Sequence, residues 1–338
     1  MNSFIEKYTK FDICLEMLET VDVIRNYDPS DALKFAQMLK SYPRILLTGE
    51  GSSRIFPAQN LISSNLKHAS EITLLSEGAT QACEYDLSKT AVIGLSNSGR
   101  TKELVKLFRL LSIKSHPGVF TITASQTQTP LTNISKTTAV LQCGAEKAVA
   151  ATKSVVEQAL FLEVMLGHLT GRTNDNLSVL SNLFEKTLQI NIPENIIKKV
   201  ASASKIYFAG RNNGVGEELA LKTNEIARKK SDFLPGTYLV HGVEEVMDKS
   251  EIVVLIDPFE HEEQKIAEVL IDGIGMEIIA ISSRKTLFPT ILIPEGGDFK
   301  NYIELAAGWN LLVEVGIENG INIDKGLRAR KIGNEIAG

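Results

Sequence analysis

Cysteine is scarce: three residues in 338, at Cys14, Cys83 and Cys143. An odd number at wide spacing excludes a disulfide framework and a cysteine-based metal site, and it fits a reduced, cytoplasmic setting. Charge of one sign is also missing. Thirty-six Lys and Arg against 41 Asp and Glu leave a net charge of -5, with no basic stripe to hold nucleic acid or a membrane surface. The densest basic cluster is Arg228-Lys229-Lys230, read as a solvated helix end. No apolar run approaches the roughly 20 residues that a bilayer-spanning helix needs. The N-terminus opens on Asn2, Ser3, Glu6, Lys7 and Lys10, without a signal-peptide pattern. The expectation is a cytosolic chain that binds neither nucleic acid nor membrane.

What is present is an ordinary apolar fraction, 43%, enough for a core in each of the two domains that the length suggests. Residues 1–40 read as helices. Ile13, Met17, Leu18 and Val21 share one helical stripe, and Pro29-Ser30-Asp31 restarts a helix by N-cap chemistry. Short apolar strands are expected at Arg44–Thr48, Ile72–Leu75, Ala91–Leu95, Val119–Thr123 and Ala139–Gln142, with helical periodicity between them. That alternation predicts a parallel, doubly wound α/β sheet over residues 41–172. A helix is expected over about Ala151 to Leu169, then a linker helix over 173–197 ending near Ile192-Pro193, then a second domain over 198–338.

The second domain repeats the first. Arg44-Ile-Leu-Leu-Thr-Gly49 matches Lys205-Ile-Tyr-Phe-Ala-Gly210, and Thr90-Ala-Val-Ile-Gly-Leu95 matches Glu251-Ile-Val-Val-Leu-Ile256. The shared offset of about 160 residues points to duplication of a whole domain. The copies part at one loop. The first reads Ser96-Asn97-Ser98-Gly99-Arg100-Thr101, hydroxyls and backbone N–H groups at a helix start, which suits an anion. The second reads Asp257-Pro258-Phe259-Glu260-His261-Glu262, whose carboxylates and proline are expected to repel phosphate. One phosphate site per chain follows, with Ser52 and Ser53 turning toward it from the neighbouring strand end.

Glu218, Lys222 and Glu225 are spaced four and three apart and so share a helical face. Spacing alone is equally that of a surface ion-pair ladder. Leu219, Ala220, Leu221 and Ile226 around them favour burial. His241, before Gly242, has no partner pattern of its own, and neither do His68, His116 and His168.

Together these segments resemble the sugar isomerase (SIS) domain family, in its tandem form, and within it the isomerase half of the glutamine–fructose-6-phosphate aminotransferases. The likeness runs from about residue 40 to the end. The family's Gly-x-Gly-Thr-Ser turn is similar to Gly49-Glu50-Gly51-Ser52-Ser53, and its Ser-Gln-Ser-Gly-Glu-Thr loop to Ser96–Thr101. Its Val-Ala-Ser-Thr-Lys segment is similar to Val149–Lys153, and its Ala-Leu-Lys-x-x-Glu helix to Ala220–Glu225. Its His-Gly falls on His241-Gly242, sixteen residues after Glu225, and its C-terminal lysine falls on Lys331.

The resemblance implies two tandem flavodoxin-like domains and a homodimer without a cofactor or a metal. It also implies a hexose or hexosamine 6-phosphate as the small-molecule partner. Glu225 would carry a proton between C1 and C2, with Lys222 orienting it and Glu218 behind. His241 would assist ring opening from a neighbouring subunit, and Lys331 would close over the carbonyl, by charge or as a Schiff base. Phosphate and sugar would meet Ser52, Ser53, Ser96, Asn97, Ser98, Thr101, Val149 and Glu218. Four features depart from the family: no glutaminase domain precedes the first SIS copy, Arg100 replaces an acid, Ala151 replaces a serine, and Arg211-Asn212-Asn213 differs from the family's turn. Glutamine-dependent amination is therefore not expected. Isomerase, aminosugar-phosphate deaminase and fructosamine-6-phosphate deglycase remain open. A non-catalytic sugar-phosphate sensor is the alternative, although some 40 acidic-leaning residues leave little room for a helix-turn-helix domain.

Overall fold

The computed structural model describes residues 1, 3–172, 176–328 and 335–336. It holds two five-stranded parallel sheets. The first consists of β1 (Arg44–Gly49), β2 (Thr73–Glu77), β3 (Ala91–Leu95), β4 (Val119–Thr123) and β5 (Thr137–Val140), in the order β2-β1-β3-β4-β5. The second consists of β6 (Lys205–Gly210), β7 (Lys230–Pro235), β8 (Ile252–Ile256), β9 (Glu277–Ser282) and β10 (Thr290–Leu292), in the order β7-β6-β8-β9-β10. Both are doubly wound. The strand order reverses between β1 and β3, and again between β6 and β8, which are the places where such sheets open a crevice beyond the strand carboxyl ends.

The chain divides into two compact units. One comprises Met1–Val21, Lys147–Ala150 and Ser178–Ala329 and contains the second sheet; the other comprises Asp22–Glu146, Ala151–Leu177 and Arg330–Gly338 and contains the first. In the first-sheet unit, alternate strand residues serve opposite faces, as the pleat requires. Ile45, Leu47, Ile93 and Leu95 join one core with Phe35, Phe120 and Phe161. Leu46 and Val92 join the other with Leu104, Phe108 and Leu111 of the helix Lys102–Ile113. The Phe35 ring lies 5.6 Å from Phe120 and 5.1 Å from Phe161, in the tilted and edge-on poses that aromatic pairs favour.

In the second-sheet unit the helix Lys300–Glu318 is buried from Asn301 to Gly316, on all sides. That explains its apolar composition around the whole circumference. It packs on the helix Val215–Lys222, and Trp309 meets the edge of Phe184 at 5.8 Å.

Several expectations are adjusted. β2 begins at Thr73 because its register pairs Thr73 with Arg44, and β5 runs Thr137–Val140 because Thr137 pairs with Phe120. The helix Ser30–Leu39 is not capped by its own Pro29-Ser30-Asp31. The Asp28 carboxylate does the capping, accepting the Ser30 amide at 3.0 Å and the Ser30 hydroxyl at 2.6 Å. Arg228 is not merely a solvated helix end. It adopts the left-handed conformation that terminates the preceding turn, and its guanidinium donates to the carbonyls of Asn322 (2.9 Å) and Lys325 (2.6 Å).

Candidate active-site elements

In the first-sheet unit, β3 ends at Leu95 and Ser96–Thr101 lead into the helix Lys102–Ile113. The loop is bonded to itself. The Gly99 amide donates to the Ser96 carbonyl (3.2 Å) and to its hydroxyl (3.1 Å), and the hydroxyls of Ser96 and Thr101 are 2.7 Å apart. The Arg100 amide donates to the Ser98 hydroxyl at 3.2 Å. Thr101 occupies the N-cap but makes no side-chain cap bond. Hydroxyls and amides thus converge at the N-terminus of a twelve-residue helix, where partial positive charge collects. Ser52 is buried and Ser53 half-buried in a tight turn directly after β1, whose Gly49 lies beside Leu95 of β3.

Asn97 is held by a residue that the sequence analysis did not single out. Its amide donates to Glu146 at 3.0 Å. The same buried carboxylate accepts the Thr152 amide at 2.7 Å and the Ser154 hydroxyl at 2.7 Å. Glu146 therefore fastens the loop to the start of the helix Lys153–Thr170. Near the C-terminus, Glu335 bridges Thr101 and the Ile336 amide donates to the Arg100 carbonyl at 3.1 Å. Lys331 lies outside the described residues. Val149 belongs to the stretch Lys147–Ala150 of the other unit, where its amide donates to the Asp324 carbonyl at 2.9 Å.

In the second-sheet unit, Glu218, Lys222 and Glu225 come together as their spacing predicts. The Lys222 ammonium sits 3.1 Å from Glu218 and 2.9 Å from Glu225. The cluster is no surface ladder, since the side chains of Lys222 and Glu218 have no exposed area and that of Glu225 keeps 21%. Burial alone would lower the Lys222 pKa, but the two carboxylates outweigh it and hold the ammonium above its ordinary value. The α-helix ends at Lys222, and the chain continues through a π-type turn, Thr223–Ala227, that contains Glu225. Single π-turns of this kind recur at functional sites. His241 is exposed at the end of a short 3-10 turn, Tyr238–Val240.

The expectation for the loop after β8 needs correcting in its electrostatics. Asp257 does not present a free negative charge. Arg211 holds it at 2.6 Å and Lys300 at 2.7 Å. Burial opposes its ionisation, but these two hydrogen-bonded cations prevail and leave its pKa lowered. The sequence marks Arg211 only as part of a turn that departs from the family and does not mark Lys300, because only folding brings the two cations to Asp257.

The glutamine–fructose-6-phosphate aminotransferase (isomerizing) of Pyrococcus horikoshii is 27% identical over 244 residues, which are 68% of this chain and 40% of that protein. This chain thus spans about two-fifths of the curated relative it matches. No family model matches. Tagatose-6-phosphate ketose/aldose isomerase from Escherichia coli superposes with a TM-score of 0.77 at 18% identity, over 96% of this chain and 98% of that one. The fold is that of the tandem sugar isomerase (SIS) proteins. Glucosamine-6-phosphate deaminase from Thermotoga maritima shares this SIS fold, with a TM-score of 0.68 at 19% identity over 93% of this chain and 98% of that one. Among the described residues, no helix is long and apolar enough to cross a membrane.

Proposed function

We propose that the chain is a sugar-phosphate enzyme that moves a proton between C1 and C2 of an open-chain hexose or hexosamine 6-phosphate. The observation that carries this reading is the buried Glu218–Lys222–Glu225 cluster, open to solvent only at Glu225. Taking three charges out of water is costly, and such pairs seldom add net stability. Keeping one carboxylate ionised, aimed and partly accessible is what a general base requires.

The phosphate is held by Ser96, Asn97, Ser98 and Thr101, with Ser52 and Ser53 adding donors, at the N-terminus of the helix Lys102–Ile113. Glu225 removes the proton from C2 of the aldose. The electron pair enters the C1–C2 bond, and the C1 carbonyl oxygen takes a proton to give an enediol. Return of the proton from Glu225 to C1, with loss of the C2 hydroxyl proton to solvent as the C2 carbonyl forms, gives the ketose. With an amino group at C2 the intermediate is an enolamine. Protonation at C1 then leaves an imine at C2, which water opens with loss of ammonia. Lys222, backed by Glu218, holds Glu225 oriented. His241, reaching across a homodimer, assists ring opening, and Lys331 closes over the carbonyl. The comparisons support this reading through three SIS-fold relatives whose names combine an isomerase, an aminotransferase and a deaminase acting on hexose phosphates.

The test is an NMR screen of hexose, hexosamine and fructosamine 6-phosphates in deuterated water. Deuterium should appear at C1 or C2 of one of them, and release of ammonia or of a free amine separates deaminase and deglycase from isomerase. Binding without exchange into any of them would favour a sugar-phosphate sensor instead.

A further inference from the structure

The two repeats can be compared position by position at the carboxyl ends of their strands. Gly49 of β1 pairs with Leu95 of β3, and Gly210 of β6 pairs with Ile256 of β8. The next residues, Ser96 and Asp257, are therefore equivalents. Each donates its amide to the following strand, Ser96 to the Ile122 carbonyl at 3.1 Å and Asp257 to the Ile281 carbonyl at 2.9 Å. The correspondence extends to the helix behind each crevice. Lys153 opens one helix and Lys300 the other, and each is followed four residues later by a buried glutamate, Glu157 and Glu304.

What these equivalents do is different. Glu157 accepts the amides of Gln142 (2.8 Å) and Cys143 (2.7 Å). Glu304 is 1% exposed, with the Asn213 side chain as its polar neighbour and no well-formed hydrogen bond to either carboxyl oxygen among the described residues. Burial, with Asp257 close by, pushes its pKa up to about 8, which favours its protonated form. Beside it, Arg211 Nε and Lys300 Nζ converge on the two oxygens of Asp257, at 2.6 and 2.7 Å. Lys300 also begins a 19-residue helix, so the helix N-terminus adds positive potential. The further charge nearby, Glu295, is engaged by the Ser283 hydroxyl at 2.6 Å and the Gly297 amide at 3.2 Å. Two cations, a helix N-terminus and a buried acid without a charged partner of its own among the described residues form an oxyanion receptor, and the oxyanion in it is a side chain of the chain itself.

We propose that the second repeat retains an oxyanion site at the β6–β8 switch point, built by Arg211, Lys300 and Glu304 and closed from within by the Asp257 carboxylate. The ligand class is a tetrahedral phosphate, either inorganic or carried by a sugar. The proposal goes beyond the function proposed above. It accounts for one phosphate site per chain by occupation of the second crevice rather than by repulsion from it.

The test is calorimetric titration of the full chain with inorganic phosphate and, separately, with glucose 6-phosphate. Asp257→Gly suits the left-handed backbone there, where φ is +44°. It should bind one more inorganic phosphate per chain than wild type, and adding Arg211→Gln should remove that extra site. Binding of glucose 6-phosphate at the extra site would show room for a sugar, and binding of inorganic phosphate alone would show a closed crevice; both support the proposal. Asp257→Asn keeps the shape without the charge and serves if the glycine variant does not fold, with phosphate raising its Tm more than it raises that of wild type. Unchanged stoichiometry together with unchanged thermal stabilisation in the variants, or two sites already in wild type, would overturn the proposal. The outcome is separable from the proposed function, because Ser98→Ala/Thr101→Val should abolish wild-type phosphate binding while leaving the extra site of Asp257→Gly intact.

Discussion

Lys222 has no exposed surface and two carboxylates within 3.1 Å; Glu304 is as deeply buried but has no cation paired to it directly among the described residues. The two buried residues show how far a single position can be read. The helical spacing of Glu218, Lys222 and Glu225 places them on one face before any coordinates, but it cannot distinguish a solvated ladder from a buried base. Burial decides that, and burial depends on the helix Lys300–Glu318, which is remote in sequence. Glu304 was not legible as a lone acid in an apolar stretch. Its signal was the matching Lys-x-x-x-Glu at Lys153–Glu157 and Lys300–Glu304, hidden because the shared offset shortens between the last strands and these helices. Its consequence is a pH dependence. An unfolded glutamate loses its proton near 4.5, whereas folded Glu304 keeps it to about 8. Between those values the folded state binds the extra proton, so stability falls as pH rises, with a limiting slope of about 1.4 kcal/mol per pH unit. Glu304→Gln should flatten the fall of Tm between pH 5 and pH 8. A wild-type slope in that variant would contradict the assignment.

At the scale of elements, the central strands were legible because a parallel strand covered on both faces is almost continuously apolar. β3, β4 and β8 are buried along their whole length. The edge strand β7, Lys230–Pro235, was not legible, since its first half is polar and its residues alternate in exposure, as edges do to avoid pairing with other chains. The strand-end glycines are where the duplication imposes a steric rule. A Cβ on Gly49 would lie 2.7 Å from the Leu95 carbonyl oxygen, and one on Gly210 would lie 2.2 Å from that of Ile256, at a φ of +136°. Backbone cannot move aside as a side chain can. Gly210→Ala should therefore destabilise the chain by roughly 2–4 kcal/mol, in the range of strained backbone and forced contacts, and Gly49→Ala by less. Chemical denaturation of the two variants checks the order, and equal small losses would show that the strand ends are looser than this packing implies.

At the scale of the whole molecule, a duplicated domain has divided its labour. One repeat keeps the hydroxyl-rich loop Ser96–Thr101, and the other keeps the cluster around Lys222 and fills its own crevice with Asp257. The fold was legible from the strand–loop–helix alternation and the internal repeat. The site was legible only in pieces, because His241 is an exposed residue without a partner pattern and because Glu146, Arg211 and Lys300 act through contacts far apart in sequence. If His241 serves the neighbouring subunit of a dimer, mixing inactive Glu225→Gln chains with inactive His241→Asn chains should restore part of the activity. No recovery after demonstrated subunit exchange would place both groups in one chain's site. The most direct test of the account is deuterium wash-in at C1 and C2 of the substrate that the NMR screen identifies, measured with Glu225→Gln. A carboxylate can take the carbon-bound proton and return it, whereas an amide of the same shape cannot, and losing a general base typically costs about 10²–10⁴-fold in rate. The account predicts exchange slowed by that order with phosphate binding nearly unchanged. Exchange at the wild-type rate would contradict it and assign the base to another residue.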